Sequence, residues 1–170
     1  LQNKNWNYIG IEIREKLGHG HEKDFLTVGG MGHASQIALG IALEKKDREV
    51  FCLDGDGAFL MHMGSTAING SMKCSNFKHV LFNNSAHDSV GAQPTVGDRV
   101  DFLQIANSCG YGWIKKVSTK KDLIKSIQEL KSVNGPALLE IQIKPGFRDN
   151  LGRPTNTAER NKELFMKYLR

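Results

Sequence analysis

Val50-Phe51-Cys52-Leu53-Asp54-Gly55-Asp56-Gly57 is an apolar run that ends in a polar turn, and Val80-Leu81-Phe82-Asn83-Asn84 repeats the arrangement further along. Short apolar runs closed by turn residues read as buried strands, so both polar clusters belong at the C-terminal tips of strands. Open α/β sheets bind ligands at that edge. A carboxylate and a neutral amide, set beside glycines that let a phosphate approach the backbone, suit a hard, oxygen-seeking magnesium ion whose remaining ligands are phosphate oxygens. The bland alternative is a pair of ordinary turns, since Asp, Asn and Gly are the commonest turn residues.

Working outward, strand-like and helix-like stretches alternate. Phe25–Val28 reads as a strand running into Gly29-Gly30, and His33 to Lys45 as a helix with Ile37, Ala38, Ile41 and Ala42 on one face. A helix is expected from Phe59 to Ile68, another around Phe102, Leu103, Ile105, Ala106 and Cys109, and a strand over Trp113–Val117. Thr119 and Asp122 cap a helix whose stripe is Leu123, Ile124, Ile127, Leu130 and Val133, and Gly135-Pro136 stops it. Ala137 to Ile143 begins apolar and ends in alternation, which predicts a strand near a sheet edge. Strands separated by helices of this length predict a single α/β domain over residues 1–170, with a largely parallel sheet covered by helices on both faces. An irregular tail from about Lys144 leads to a last helix carrying Leu164, Phe165, Tyr168 and Leu169.

Composition narrows the function classes. The 170 residues suffice for a real core, and 39% hydrophobic with 24% charged residues is ordinary for a soluble protein without membrane spans. No signal peptide is visible at Leu1-Gln2-Asn3-Lys4-Asn5. Cys52, Cys74 and Cys109 are widely spaced and odd in number, which argues against a zinc ribbon or disulfide framework and for a reducing cytoplasm. A net charge of +5 favours anionic ligands in general, but the lysines are not interleaved with stacking aromatics, so nucleic acid is not an expected partner. His19, His21, His62 and His79 read as structural or surface residues; Gly18-His19-Gly20-His21-Glu22 lacks further metal ligands at a known spacing.

Gly30-Met31-Gly32, with Asp54 further on at a strand end, partly imitates a dinucleotide-binding fingerprint. The third glycine position falls on Ser35, and the pattern leaves Asp56 and Asn84 unexplained.

The spacing of Gly55-Asp56-Gly57 and Asn83-Asn84 resembles the cofactor signature of thiamine diphosphate enzymes. The resemblance implies thiamine diphosphate and Mg2+ as cofactors, with Asp56, the Asn84 side chain and the Ala86 carbonyl as metal ligands and Gly55, Gly57 and Ala58 against the diphosphate. It also implies that Met31 wedges under the bend of a V-shaped cofactor, the Gly29 carbonyl and the Met31 amide meeting its pyrimidine. Met31 as core filler is the alternative.

Three stretches, Thr27 to Ser35, Asn83 to Gly97 and Arg148 to Thr155, are similar to the phosphonopyruvate decarboxylase family, with sulfopyruvate decarboxylase its nearest relation in chemistry. The similarity runs from about Glu12 to the C-terminus and corresponds to the diphosphate-binding domain of such enzymes. It implies a carboxy-lyase acting on a small 2-oxo acid with an anionic tail. His33 and His87 are candidates for proton transfer or for structural hydrogen bonding, because histidine titrates near working pH. Ser89, Val90 and Gly91 would offer backbone amides to an anion if a helix begins there, and Arg148 and Arg153 either clamp a phosphonate or form a solvated tail.

Two departures qualify the resemblance. The family takes the glutamate that activates the cofactor from a separate pyrimidine-binding domain, and Leu1 to Gly10 lacks the family's Thr-Gly-x-x-Ser-Arg-Glu stretch, so the N-terminus is expected to be incomplete. Ser85 and Ala92 stand where the family tends to have glycine. Two expectations follow. One is a catalytic half completed by a pyrimidine-binding domain or subunit in a homo- or hetero-oligomer; the other is a non-catalytic binding or assembly module. His87, Asp88 and Gln93, which have no evident packing purpose, favour the first.

Overall fold

A computed structural model describes residues 22–146 and 156–170. Helix α1, Ala34–Glu44, leads into strand β1, Val50–Gly55, and two short helices follow, α2 at Asp56–Met61 and α3 at Ser65–Ser71. Strand β2 is Phe77–Asn83; a small antiparallel ribbon pairs β3, Ala86–His87, with β4, Gln93–Pro94. Then come α4 at Phe102–Ser108, β5 at Trp113–Val117, α5 at Lys120–Ser132, β6 at Ala137–Gln142 and α6 at Ala158–Leu169.

Among the described residues four strands form one sheet in the order β1-β2-β6-β5, every pair parallel. Side chains alternate across it, which produces two cores. On one face Phe77 and Leu81 of β2 and Leu138 of β6 pack with Leu39 and Ala42 of α1, Phe59 of α2 and Phe102 and Ala106 of α4. On the other, Val80, Val117, Leu139 and Ile141 pack beneath Leu130 of α5. Both faces are covered, as the alternation of elements predicts. Asn76 joins α1 to the sheet: its Nδ2 donates to the carbonyls of Ala42, Lys45 and Arg48 at 2.8–3.0 Å, satisfying acceptors where α1 ends and β1 approaches.

Four local expectations are corrected. Phe25–Val28 is not a strand: the Leu26 carbonyl is taken by Asn161 Nδ2 at 2.9 Å and the Phe25 ring lies 5.5 Å from Phe165, so the segment docks on α6 instead of the sheet. The expected helix from Phe59 to Ile68 is two helices, the first starting at Asp56 directly from the strand and ending at Met61, after which His62 leaves helical geometry at φ −133°. The α5 stripe is narrower than expected, since Ile124 and Ile127 are exposed while Ser126 and Leu130 turn inward. Lastly, β6 is not an outer strand: it lies one in from the edge, paired with β2 on one side and β5 on the other. Its alternation misleads because Glu140 is 1% exposed, a buried carboxylate with partners.

Candidate functional site

The site is assembled at the C-terminal ends of β1 and β2. Their register pairs Gly55 with Phe82, so Asp56 and Asn84 leave adjacent parallel strands at nearly the same level. Gly55 caps α2 in extended backbone and Asp56 opens the helix, so the chain passes from strand to helix without a loop. Both side chains are almost fully buried, Asp56 at 1% and Asn84 at 3%.

Thr95 ties the two strand ends together. Its hydroxyl donates to Asp56 Oδ2 in a short hydrogen bond and its backbone N–H donates to the Ser85 carbonyl at 3.0 Å. Asn84 Nδ2 donates to Asp88 Oδ2 at 2.7 Å, while Asn84 Oδ1 accepts from the Ala86 N–H at 3.2 Å. Asp88 Oδ2 also accepts from the Gly146 N–H at 2.9 Å. Asp88 therefore has a packing purpose after all, which corrects one ground for the catalytic expectation: it fixes Asn84 and the chain after β6. An Asp carboxylate, an Asn carbonyl and the nearby Ala86 backbone could together offer the all-oxygen donors that magnesium prefers.

The Gly29-to-Gly32 turn comes against the same helix. Gly29 and Gly32 have φ of +81° and +85°, and a Cβ on Gly32 would stand 2.8 Å from the Ala58 carbonyl oxygen and 2.5 Å from His62 Cδ2. Glycine there lets the turn carrying half-buried Met31 lie on α2. The dinucleotide alternative loses its acidic residue, because Asp54 is buried, with Oδ1 accepting from the Gly55 N–H at 3.0 Å and Oδ2 3.3 Å from His79 Nε2.

His87 and His33 occupy different places. The His87 ring lies against Gly57, where a Cβ would meet its Cε1 at 2.3 Å, so His87 abuts the helix that Asp56 opens. His33 is exposed, its Nδ1 3.3 Å from the Met31 carbonyl oxygen and its ring 4.2 Å from that of His62. His62, expected to be structural or at the surface, is exposed and neighbours the Met31 turn. Ser89 is exposed within a single 3-10 turn, Asp88–Val90, that ends at Gly91 with φ +98°. No longer helix begins there. Arg148 and Arg153 lie outside the described residues.

Behind the strand tips Cys52, Asp54 and His79 cluster in the core, His79 Nδ1 lying 3.3 Å from the Tyr111 hydroxyl. Burial pushes the Cys52 thiol well above its ordinary pKa, reinforced by the Asp54 charge, and burial likewise raises the Tyr111 phenol. Both groups are held neutral. Reasoning from sequence missed Thr95, Gly97 and Glu140. The turn-forming stretch Gln93-Pro94-Thr95-Val96-Gly97 was a signal for the first two, whereas Glu140 gave none beyond a charge in an apolar strand.

Residues 15–141 match the family described as thiamine pyrophosphate enzyme, C-terminal TPP binding domain. Phosphonopyruvate decarboxylase of Streptomyces viridochromogenes is 38% identical over 148 residues, 87% of this chain but 37% of that protein, so the chain spans little more than a third of its length. The sulfopyruvate decarboxylase beta subunit of Methanococcus maripaludis is 32% identical over 138 residues, 81% of this chain and 74% of the subunit. Among solved structures, the thiamine diphosphate-dependent 4-hydroxybenzoylformate decarboxylase of Rhodococcus jostii RHA1 superposes with a TM-score of 0.55 at 18% identity, over 72% of this chain and 24% of that one, a likeness of fold.

Proposed function

We propose, since the chain belongs to the thiamine pyrophosphate enzymes through their C-terminal TPP binding domain, that it forms the diphosphate-side half of a magnesium- and thiamine diphosphate-dependent decarboxylase of phosphonopyruvate. The observation that carries this reading is the Thr95 bridge, which brings the Asp56 carboxylate and the Asn84-Ser85 turn to one place at the sheet edge. Asp56, Asn84 Oδ1 and the Ala86 carbonyl would hold the metal; Gly55, Gly57, Ala58 and Ser89 would face the diphosphate, and Gly29 and Met31 the pyrimidine. When bound, the cofactor supplies the electron sink for loss of carbon dioxide from a 2-oxo acid.

The remaining work falls to side chains of the chain. His87 is pressed against the helix that Asp56 opens, where it can hold a proton near an anionic group. His33, at the mouth beside Met31, can exchange a proton with solvent. Arg148 and Arg153 suit the phosphonate because guanidinium binds such groups in a bidentate way. Three free cysteines agree with a cytoplasmic setting. Among the described residues no helix is long and apolar enough to cross a membrane.

A pyrimidine-binding domain or subunit would supply the other wall and the activating glutamate. The beta-subunit relative, covered over 74% of its length, favours a second reading in which the chain is one subunit of a sulfopyruvate decarboxylase. Aldehyde formation from phosphonopyruvate, sulfopyruvate and pyruvate, measured with the chain combined with a pyrimidine-side domain, tests both. Phosphonopyruvate should be turned over fastest, and the chain alone should be inactive. Preference for sulfopyruvate would transfer the assignment to the second reading. Inactivity on all three with every complementary domain would favour a binding module.

A further inference from the structure

We infer that Glu140, a buried carboxylate in the middle of the sheet, is a positioning residue for the metal-diphosphate site, acting through Asn83 and the Thr95–Gly97 strap. The inference rests on the proposed cofactor site, whose own ligands do not include Glu140.

Glu140 Oε1 accepts from Asn83 Nδ2 at 2.8 Å and lies 2.8 Å from Lys116 Nζ, whose side chain is half exposed on the neighbouring edge strand β5. A buried carboxylate is costly unless its charge is paired and hydrogen-bonded, and these two partners supply a cation and a donor to Oε1. The arrangement orients an amide. Asn83 Nδ2 also donates to the Gly97 carbonyl at 2.8 Å, so both its hydrogens are committed, while Asn83 Oδ1 accepts from Ser85 N–H at 3.2 Å and Ser85 Oγ at 3.3 Å. A flipped amide would turn its oxygen toward the Glu140 carboxylate and the Gly97 carbonyl. Glu140 thereby selects the orientation that closes the Ser85 turn next to Asn84.

From Asn83 the chain of contacts reaches Asp56. The Gly97 N–H donates to Thr95 Oγ1 at 3.1 Å, and Thr95 Oγ1 donates to Asp56 Oδ2. The strap is pressed close: a Cβ on Gly97 would stand 2.5 Å from Asp56 Oδ2 and 2.7 Å from Asn83 Oδ1. One buried acceptor thus holds both sides of the site, the Asn84 turn directly after Asn83 and the Asp56 carboxylate through the strap. The requirement is for an acceptor at a fixed reach; negative charge matters only for Lys116.

Glu140→Gln keeps that acceptor and removes the charge, whereas Glu140→Asp keeps the charge and withdraws the acceptor by a methylene. Calorimetric titration of thiamine diphosphate into each variant of the chain in excess magnesium reads the difference, with circular dichroism confirming the fold. Glu140→Gln should bind within about twofold of the unaltered chain, and Glu140→Asp about tenfold more weakly, as is usual for groups that orient metal ligands. Equal binding by the two variants, or loss in Glu140→Gln alone, would overturn the inference. Asp56→Ala is the control for the site itself: undiminished binding there would remove the cofactor reading, a result separate from any ranking of the Glu140 variants.

Discussion

Ser85 and Ala92 adopt φ of +55° and +57°, the left-handed region in which a side chain crowds its own carbonyl. The absence of glycine at these two positions was legible in the sequence; that the backbone still takes the left-handed form is the structural finding. Ala92 is exposed, so replacing it with glycine removes the crowding without opening a cavity. Ala92→Gly is expected to raise stability by about 0.5 kcal/mol, the relief of strain less the added freedom of the unfolded chain, and urea denaturation would read it as a higher midpoint. Tyr111 gives a pH signature. Burial raises its phenol far above the ordinary value, reinforced by the Asp54 charge. The folded chain therefore keeps a proton that the unfolded chain releases near pH 10, and the stability this contributes is intact below that pH and lost above it, at about 1.4 kcal/mol per pH unit. Thermal melts should show this alkaline decline, and Tyr111→Phe should flatten it. The placement of Asp56 and Asn84 at neighbouring strand ends was readable because each follows an apolar run. Glu140 and Asp88 were not, since their partners, Lys116 and Asn83 for one and Asn84 and Gly146 for the other, are brought together only by strand order and loop closure.

At the scale of elements, the legible parts were those whose local pattern agrees with their surroundings. Helix α5 begins at Thr119, whose side chain accepts from the Asp122 N–H as the capping pair predicts, and β1, β2 and β5 lie where their apolar runs fall. The alternation in β6 pointed toward an edge because a polar residue at alternate positions ordinarily faces water, whereas here Glu140 faces Asn83 and Lys116 inside the sheet. Phe25–Val28 failed because strand propensity does not supply a ladder partner, and α6, distant in sequence, took its place. The strap after β4 is the element on which the site depends most. Gly97→Ala would drive a methyl group into Asp56 Oδ2 and Asn83 Oδ1, atoms of buried residues with little room to retreat. Its thiamine diphosphate affinity should fall at least tenfold, roughly the loss of one well-made polar contact, with the far-ultraviolet circular dichroism unchanged. Calorimetry on the variant checks this.

For the molecule as a whole, one parallel sheet presents its metal-binding candidates, the Met31 turn and His87 along a single edge, with α2 common to all three. That arrangement is what the proposed diphosphate-side half requires; on the same proposal a pyrimidine-binding domain or subunit supplies the activating glutamate, and turnover is expected only when both are present. Binding is the more direct test of the central claim, because every proposed metal ligand belongs to this chain. In a calorimetric titration of thiamine diphosphate into the isolated chain, saturable binding should require magnesium, vanish with a chelator and vanish in Asp56→Ala while the melting temperature of that variant stays close to the original. Binding that persists without magnesium or in Asp56→Ala would contradict the account, as would the absence of saturable binding by the folded chain in excess magnesium.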